Sequence, residues 1–239
     1  MKNGVKSRRK DLDSWRGLAV LLMLVFHGYY NLHSFQLVSM DLSQWSPWWW
    51  LRFFIANSFL FLAGMGLALG HSRGLSLAKF LRWWLPIAAG ALLISLATRL
   101  LLSNSWIFFG ILHLIATAAL LAWPLSRQPR LAFVLALLLL ALYLFTPYWQ
   151  LSHWWPEYRS ALGLPNSSLD YYPLLPHGIS LLLGMALANI LPKRDLLAGA
   201  QGPISQSLTW LGLHALSIYL LHQAILYPAA YGLYLLQRS

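Results

Sequence analysis

Long apolar runs dominate the chain, and short polar or basic segments separate them. A helix needs about 20 predominantly apolar residues to cross the hydrocarbon core of a bilayer, within a range of roughly 17–25. Runs of that length fall at 15–36, 50–70, 83–102, 106–125, 131–147, 174–191 and 208–235. A backbone in lipid must satisfy its own hydrogen bonds, so the pattern predicts an all-α fold, a polytopic membrane helix bundle with about seven transmembrane helices. The expected organisation is a single domain over 1–239, with a basic tail at 1–14. The first run leads into HGYYNLH without a small-residue cleavage site, so it reads as an anchor rather than a signal peptide. No internal repeat or second domain is visible.

Composition agrees with this pattern. Of 239 residues, 59% are hydrophobic and 10% charged, against about 25% charged in soluble domains. The 13 Trp suit a protein with two membrane–water interfaces. The net charge of +11 does not point to nucleic acid, because the basic residues sit in short clusters between apolar runs. Such clusters orient membrane helices, with the basic side cytoplasmic. With the N-terminus inside, the inner segments hold Lys2, Lys6, Arg8, Arg9, Lys10, Arg16, Arg73, Lys79, Arg82, Arg127, Arg130, Lys193 and Arg194. The outer side holds Arg52, Arg99, Arg159 and Arg238, a ratio of 13 to 4. A cytoplasmic N-terminus follows. The absence of Cys excludes a thiolate metal site, a Cys nucleophile and an acyl-thioester enzyme.

Two outer connections are rich in aromatics: 44–54 and the long stretch 148–177. Trp45, Trp48, Trp49, Trp50, Trp154 and Trp155 form an interfacial belt in the simpler reading. In the sharper one, some of them stack on a sugar ring.

Ionisable groups within a bilayer are costly, so each invites a functional reading. His27, His113 and His222 lie inside the first, fourth and seventh spans. In the first, LDSWRGLAVLLMLVFHGYYN, Arg16 and His27 are eleven residues apart. That is close to three helical turns, so both point the same way with roughly 16 Å between them along the axis. Asp13 precedes Arg16 by three residues, a pairing distance, and suits the helix dipole. One wall thus carries a cation near the inner interface and an imidazole near mid-membrane. Phosphates at one end of a thin arm and a reactive group at the other would fit it, as in acyl-coenzyme A. The plainer alternative is a positive-inside anchor and a hydrogen-bonded core histidine. Asn31, four residues beyond His27, is placed to orient it. Tyr219, His222 and Gln223 read as a bundle-interior group. His177 opens the sixth span, and Asp170 on the outer loop serves either acceptor binding or helix capping. Gly64, Gly66 and Gly184 read as close-packing positions between helices.

The run LDSWRGLAVLLMLVFH resembles the opening helix of the membrane acyltransferase superfamily, whose acyltransferase-3 branch marks its site with an Arg, ten intervening residues and a His. FLFLAGMGLAL at 59–69, FGILHLIA at 109–116, DYYPLLPHGISLLLGMAL at 170–187 and LGLHALSIYLLHQAIL at 211–226 resemble the short bacterial form of the heparan-alpha-glucosaminide N-acetyltransferase catalytic-domain family. The resemblance implies a multi-pass inner-membrane enzyme that passes an acetyl group from cytosolic acetyl-CoA to a glycan-type hydroxyl or amine acceptor outside. It implies His27 as catalytic base or acetyl carrier. From the residues themselves, His113 reads either as a catalytic-site wall or as a His bonded to a neighbouring helix, and His222 as either catalytic or structural. Arg16 with Asp13, and Arg82, become coenzyme A contacts. By their position in the chain, Asp170, His177, His33 and Asn31 are the candidate acceptor contacts. In the animal enzyme of that family the catalytic His falls later in the first region, which makes His33 a rival to His27. No metal is expected, and an oligomer is compatible with everything above. The alternatives are a haem-binding redox protein using the intramembrane histidines, and a transporter or non-catalytic membrane protein. A transporter is disfavoured by the lack of an inverted repeat.

Overall fold

The computed structural model describes residues 9–72, 74–102, 104–145, 159, 161–165, 167–188, 190 and 202–238. Lys2, Lys6, Arg8, Arg73, Trp154, Trp155, Lys193 and Arg194 lie outside them. The described residues are all-helical. In chain order they form α1 (Lys10–Ser34), α2 (Pro47–Ser72), α3 (Leu77–Leu101), α4 (Ile111–Ala122) with a 3-10 turn (Trp123–Arg127), α5 (Pro129–Phe145), α6 (Leu174–Leu187), α7 (Pro203–Leu213) and α8 (Ala215–Leu236).

Two helices are long and apolar enough to cross a membrane, Pro47–His71 in α2 and Leu77–Leu101 in α3. The α3 surface makes a physical case for lipid. Leu85, Leu92, Leu93 and Leu96 are exposed along it, and Leu100 and Leu101 are 79% and 80% exposed. A water-facing helix keeps such residues to one stripe, and apolar patches of this extent mark a partner or a membrane. In α5 only Ala132 and Ala136 are buried, two small residues one turn apart, where it packs on α6.

Two expected spans are corrected. The run 208–235 is not one helix: it breaks at His214, whose φ of −103° and ψ of 16° leave the helical region. There the His214 Nδ1–H donates to the Trp210 carbonyl at 2.9 Å, a side-chain bond to the backbone at the break. The run 106–125 opens as a loop, and α4 starts only at Ile111. Its first backbone N–H groups go to side chains instead: Gly110 N–H to His113 Nδ1 at 3.2 Å and Ile111 N–H to Asp170 Oδ2 at 3.1 Å. Free N–H groups at a helix start require such partners.

The chain divides into two compact units, Met1–Ile55 with Pro192–Ser239, and Ala56–Leu191. In the first, α1 packs on α7 and α8. Gly17 and Gly212 meet where α1 crosses α7: a Cβ on Gly17 would collide with the Leu208 carbonyl oxygen, and one on Gly212 with that of Asp13. Ser14 Oγ and Thr209 Oγ1 bond beside this crossing at 2.8 Å. In the second unit α2 meets α6 in the same way. A Cβ on Gly64 would strike the Leu181 carbonyl oxygen and one on Gly184 that of Phe61, so both act as close-packing positions. Gly66 does not: a Cβ there would meet nothing within 4 Å.

Candidate active site

In the first unit α1 is unbroken from Lys10 to Ser34, so Arg16, Val20, Met23, His27 and Asn31 follow one stripe of the helix. Near its start Arg16 Nη1 donates to Asp13 Oδ1 at 2.8 Å, and the Asp13 side chain is 6% exposed against 29% for Arg16. The guanidinium is therefore held by one buried carboxylate while keeping an accessible face. Arg9 pairs with Asp11 one turn earlier.

Three turns further on, the His27 ring contacts that of His222 on α8, edge to face, with centroids 4.7 Å apart. Both rings are anchored by backbone. His27 Nδ1–H donates to Met23 O at 2.9 Å, and His222 Nδ1–H donates to Tyr219 O at 2.6 Å. A carbonyl only accepts, so each Nδ1 carries a proton, and a neutral ring held this way has its lone pair at Nε2. The His222 Nε2 is buried. The Met23 carbonyl therefore orients His27, and Asn31, expected in that role, instead donates Nδ2–H to Gln223 Oε1 at 2.8 Å. That bond ties α1 to α8 at residues one turn past His27 and directly after His222.

Aromatic groups flank the pair. Phe26 meets His27 edge-on at 5.4 Å, and Trp48 stacks on Tyr29 at 4.5 Å with an interplanar angle of 19°. Arg52 is within electrostatic reach of His27. His33, in the last turn of α1, donates Nδ1–H to Val38 O at 3.2 Å. Trp45, Trp49 and Trp50 form a mutual cluster, and Trp45 is held at a φ of 72° while 63% exposed.

The second unit holds the remaining candidates in a different chemical setting. His113 Nδ1 accepts from Gly110 N–H. Ser95 Oγ–H donates to Ile107 O at 2.6 Å, so at 2.9 Å from His113 Nε2 the same oxygen accepts. His113 is thus an Nε2–H tautomer joining α4 to α3. Asp170 caps α4 through Ile111 N–H. His177 is buried at the start of α6, where its Nδ1 accepts from Asn57 Nδ2 at 3.2 Å. Ser180 Oγ–H holds the Asn57 carbonyl oxygen at 2.7 Å, and Tyr172 meets the His177 ring edge-on at 5.2 Å. On the connecting loop, burial raises the Tyr171 phenol above its ordinary range, against the opposing pull of Arg159. Arg82 is exposed on α3. Among the described residues no group of three or more His, Asp or Glu could hold a metal ion.

The structure thus brings together His27, His222 and Asn31 in one unit, and in the other pairs Asp170 with the α4 start that carries His113. Sequence reasoning did not single out Asn57 and Ser95 as histidine partners. Their signal was a polar residue inside an apolar run, IANSFLF and LLISLAT. The model of the catalytic region of heparan-alpha-glucosaminide N-acetyltransferase matches residues 8–224 of this chain. The chain belongs to that family. Neither a curated protein nor a solved structure matches it. As a member of the heparan-alpha-glucosaminide N-acetyltransferase catalytic family it is a membrane acetyltransferase. The matched region contains α1, α4, α6 and α7, and α8 as far as Ala224, and so every histidine described above.

Proposed function

We propose that this family member is a transmembrane acyltransferase that moves an acetyl group from cytosolic acetyl-CoA to a glycan-type hydroxyl or amine acceptor on the outer side. It acts as a single domain of about seven spanning helices in an inner membrane, N-terminus inside, as the asymmetry of Lys and Arg suggests. The observation that carries the reading is the tautomer of His27. Its Nδ1–H is spent on Met23 O, which leaves Nε2 as the basic nitrogen on the wall that also bears Arg16. A neutral imidazole so fixed takes the proton of an attacking hydroxyl or amine. Attack forms the bond from acceptor to acetyl carbon, breaks the carbon–sulfur bond and releases coenzyme A as thiolate.

In this reading Arg16, steadied by Asp13, and Arg82 meet the phosphates of acetyl-CoA, which is a substrate of the reaction. His177, His33 and Asn31 belong to acceptor recognition, and Asp170, the other candidate for that role, caps α4. His113, with both nitrogens in local bonds, keeps α4 on α3. A haem between His27 and His222 is disfavoured, because rings in direct contact leave no gap for its plane.

The test is acetyl-CoA binding and acetyl transfer to glucosamine by detergent-purified protein. Arg16→Ala is expected to weaken acetyl-CoA binding by about tenfold or more, the worth of a charge-assisted hydrogen bond. Unchanged binding removes Arg16 from the site. His27→Ala is expected to abolish transfer in folded protein, and retained turnover refutes the assignment.

A further inference from the structure

We propose that the seam between α1 and α8 beyond the two histidines is a carbohydrate-binding strip, which holds an oligosaccharide acceptor by stacking its sugar rings on Phe35, Tyr227, Tyr231 and Tyr234. The proposal rests on the acetyltransferase reading above and adds where an acceptor longer than one sugar lies. The contacts climb α1 and α8 together, away from the Arg16 end. His27 meets His222, then Asn31 donates to Gln223, and then Phe35, at the end of α1, meets three tyrosines of α8. The Phe35 ring lies 5.2 Å from that of Tyr227 and 5.6 Å from each of Tyr231 and Tyr234, centroid to centroid. Tyr231 and Tyr234 stack on each other at 6.2 Å with 24° between their planes. Arg238 closes the strip, its Cζ 4.5 Å from the Tyr234 centroid.

Spacing makes this a strip and not a scatter. Gln223, Tyr227, Tyr231 and Tyr234 fall at i, i+4, i+8 and i+11, one face of a helix. At 1.5 Å per residue they extend for roughly 16 Å, more than a single sugar ring covers. Tyr227 and Tyr231 are 52% and 47% exposed despite these contacts, so ring surface and hydroxyls both stay open to a ligand. An apolar face with a polar tip matches a sugar, whose C–H face is apolar and whose rim carries hydroxyls. The amide of Gln223 and the guanidinium of Arg238 add hydrogen-bonding groups at the two ends. Tyrosines of an interfacial belt also expose ring and hydroxyl. A belt residue needs no aromatic partner, whereas these three converge on one side chain of a neighbouring helix, and on the two helices that carry His27 and His222. The inner end of the strip, the Asn31–Gln223 bond, is one turn past His27, which is half-buried. An oligosaccharide lying on the strip therefore runs its terminal sugar toward the base.

The experiment titrates the full chain in detergent with glucosamine and with a linear glucosamine tetramer, by calorimetry. The tetramer is expected to bind about tenfold more tightly than glucosamine, the worth of an aromatic contact and the area it covers. Tyr231→Ala is expected to remove most of that gain while glucosamine and acetyl-CoA bind as in the parent. Tyr231→Trp, which keeps an aromatic face, should retain the gain. If Tyr231→Ala does not fold, Tyr227→Ala, at the more exposed position, is read in the same way. In transfer from acetyl-CoA, Tyr231→Ala should raise KM for the tetramer about tenfold at unchanged kcat, and leave KM for glucosamine as it is. A tetramer bound no better than glucosamine, or held equally by the parent and by an Ala variant that melts like it, overturns the strip. The acetyltransferase reading then still stands wherever glucosamine is acetylated. Tetramer binding that depends on Tyr231, in a protein that acetylates no amine or alcohol, would instead sink the acetyltransferase reading and leave the strip standing.

Discussion

Each of the two units has a crossing of two helices at paired glycines and a buried histidine, yet the two sets of histidines are wired in opposite senses. In the first unit His27 and His222 each give Nδ1–H to a carbonyl of their own helix. In the second, His113 and His177 each receive a hydrogen bond at Nδ1, from Gly110 N–H and from the Asn57 amide. The first arrangement leaves a basic nitrogen beside a second imidazole. The second leaves an N–H donor and uses the ring to hold helix starts. Residue type and burial are alike, so the chemistry is set by which nitrogen the backbone and its neighbours claim.

The sharpest way to break this comparison is to replace one histidine of each kind. His27→Gln should cut acetyl transfer by about 10²–10⁴-fold, the usual worth of a general base, with little change in melting temperature. His113→Gln should do the reverse. It loses the bond to Ser95 and the partner of Gly110 N–H, which costs about 1–3 kcal/mol of stability, while transfer changes much less. If His113→Gln stopped transfer in a protein that melts normally, the division into base and scaffold would be wrong.

Much of this division could not be read from the sequence. Helix identity was legible, because apolar runs long enough to span a bilayer leave few alternatives to a helix. The Arg16–Asp13 pair was legible too, since a spacing of three fixes it once the helix is granted. The break at His214 was not, because it shows only as a local competition for the Trp210 carbonyl, without a proline. The tautomers were beyond reach for the same reason. They depend on partners such as Asn57 for His177, 120 residues away, and on which backbone group happens to face a ring. Gly17 and Gly212 were overlooked because their packing partner, unlike the LAGMG run, announces no motif.

The glycine crossings give the next largest effect and should behave alike in both units. Gly17→Ala and Gly64→Ala each push a methyl group into a backbone carbonyl oxygen. Backbone cannot rotate away as a side chain can, so the helices must part. The expected loss is about 3 kcal/mol or more each, at the upper end for overpacking, read as a lower midpoint of thermal or denaturant unfolding. A variant that unfolds like the parent would show that its two helices do not meet as described.

Asp170 tests whether the second unit also binds acceptor. Its Oδ2 accepts from Ile111 N–H at the start of α4, and losing such a cap costs about 1 kcal/mol. Asp170→Ala should therefore lower stability by that amount with an unchanged KM for glucosamine. A KM raised tenfold at normal stability would instead assign the carboxylate to acceptor recognition.

The smallest effect separates two glycines of one motif. Gly64 and Gly66 stand two residues apart on α2, and a helix carries such neighbours on different faces. Gly64 backs onto the Leu181 carbonyl, whereas a Cβ on Gly66 would meet open space, with nothing within 4 Å. Ala costs less chain entropy than Gly in a helix, so Gly66→Ala should stabilise by about 0.5–1 kcal/mol. It should leave acetyl transfer as it is, in direct contrast to Gly64→Ala. Loss of stability at Gly66 would mean that another surface covers this face of α2, since the described contacts leave room for the added methyl group.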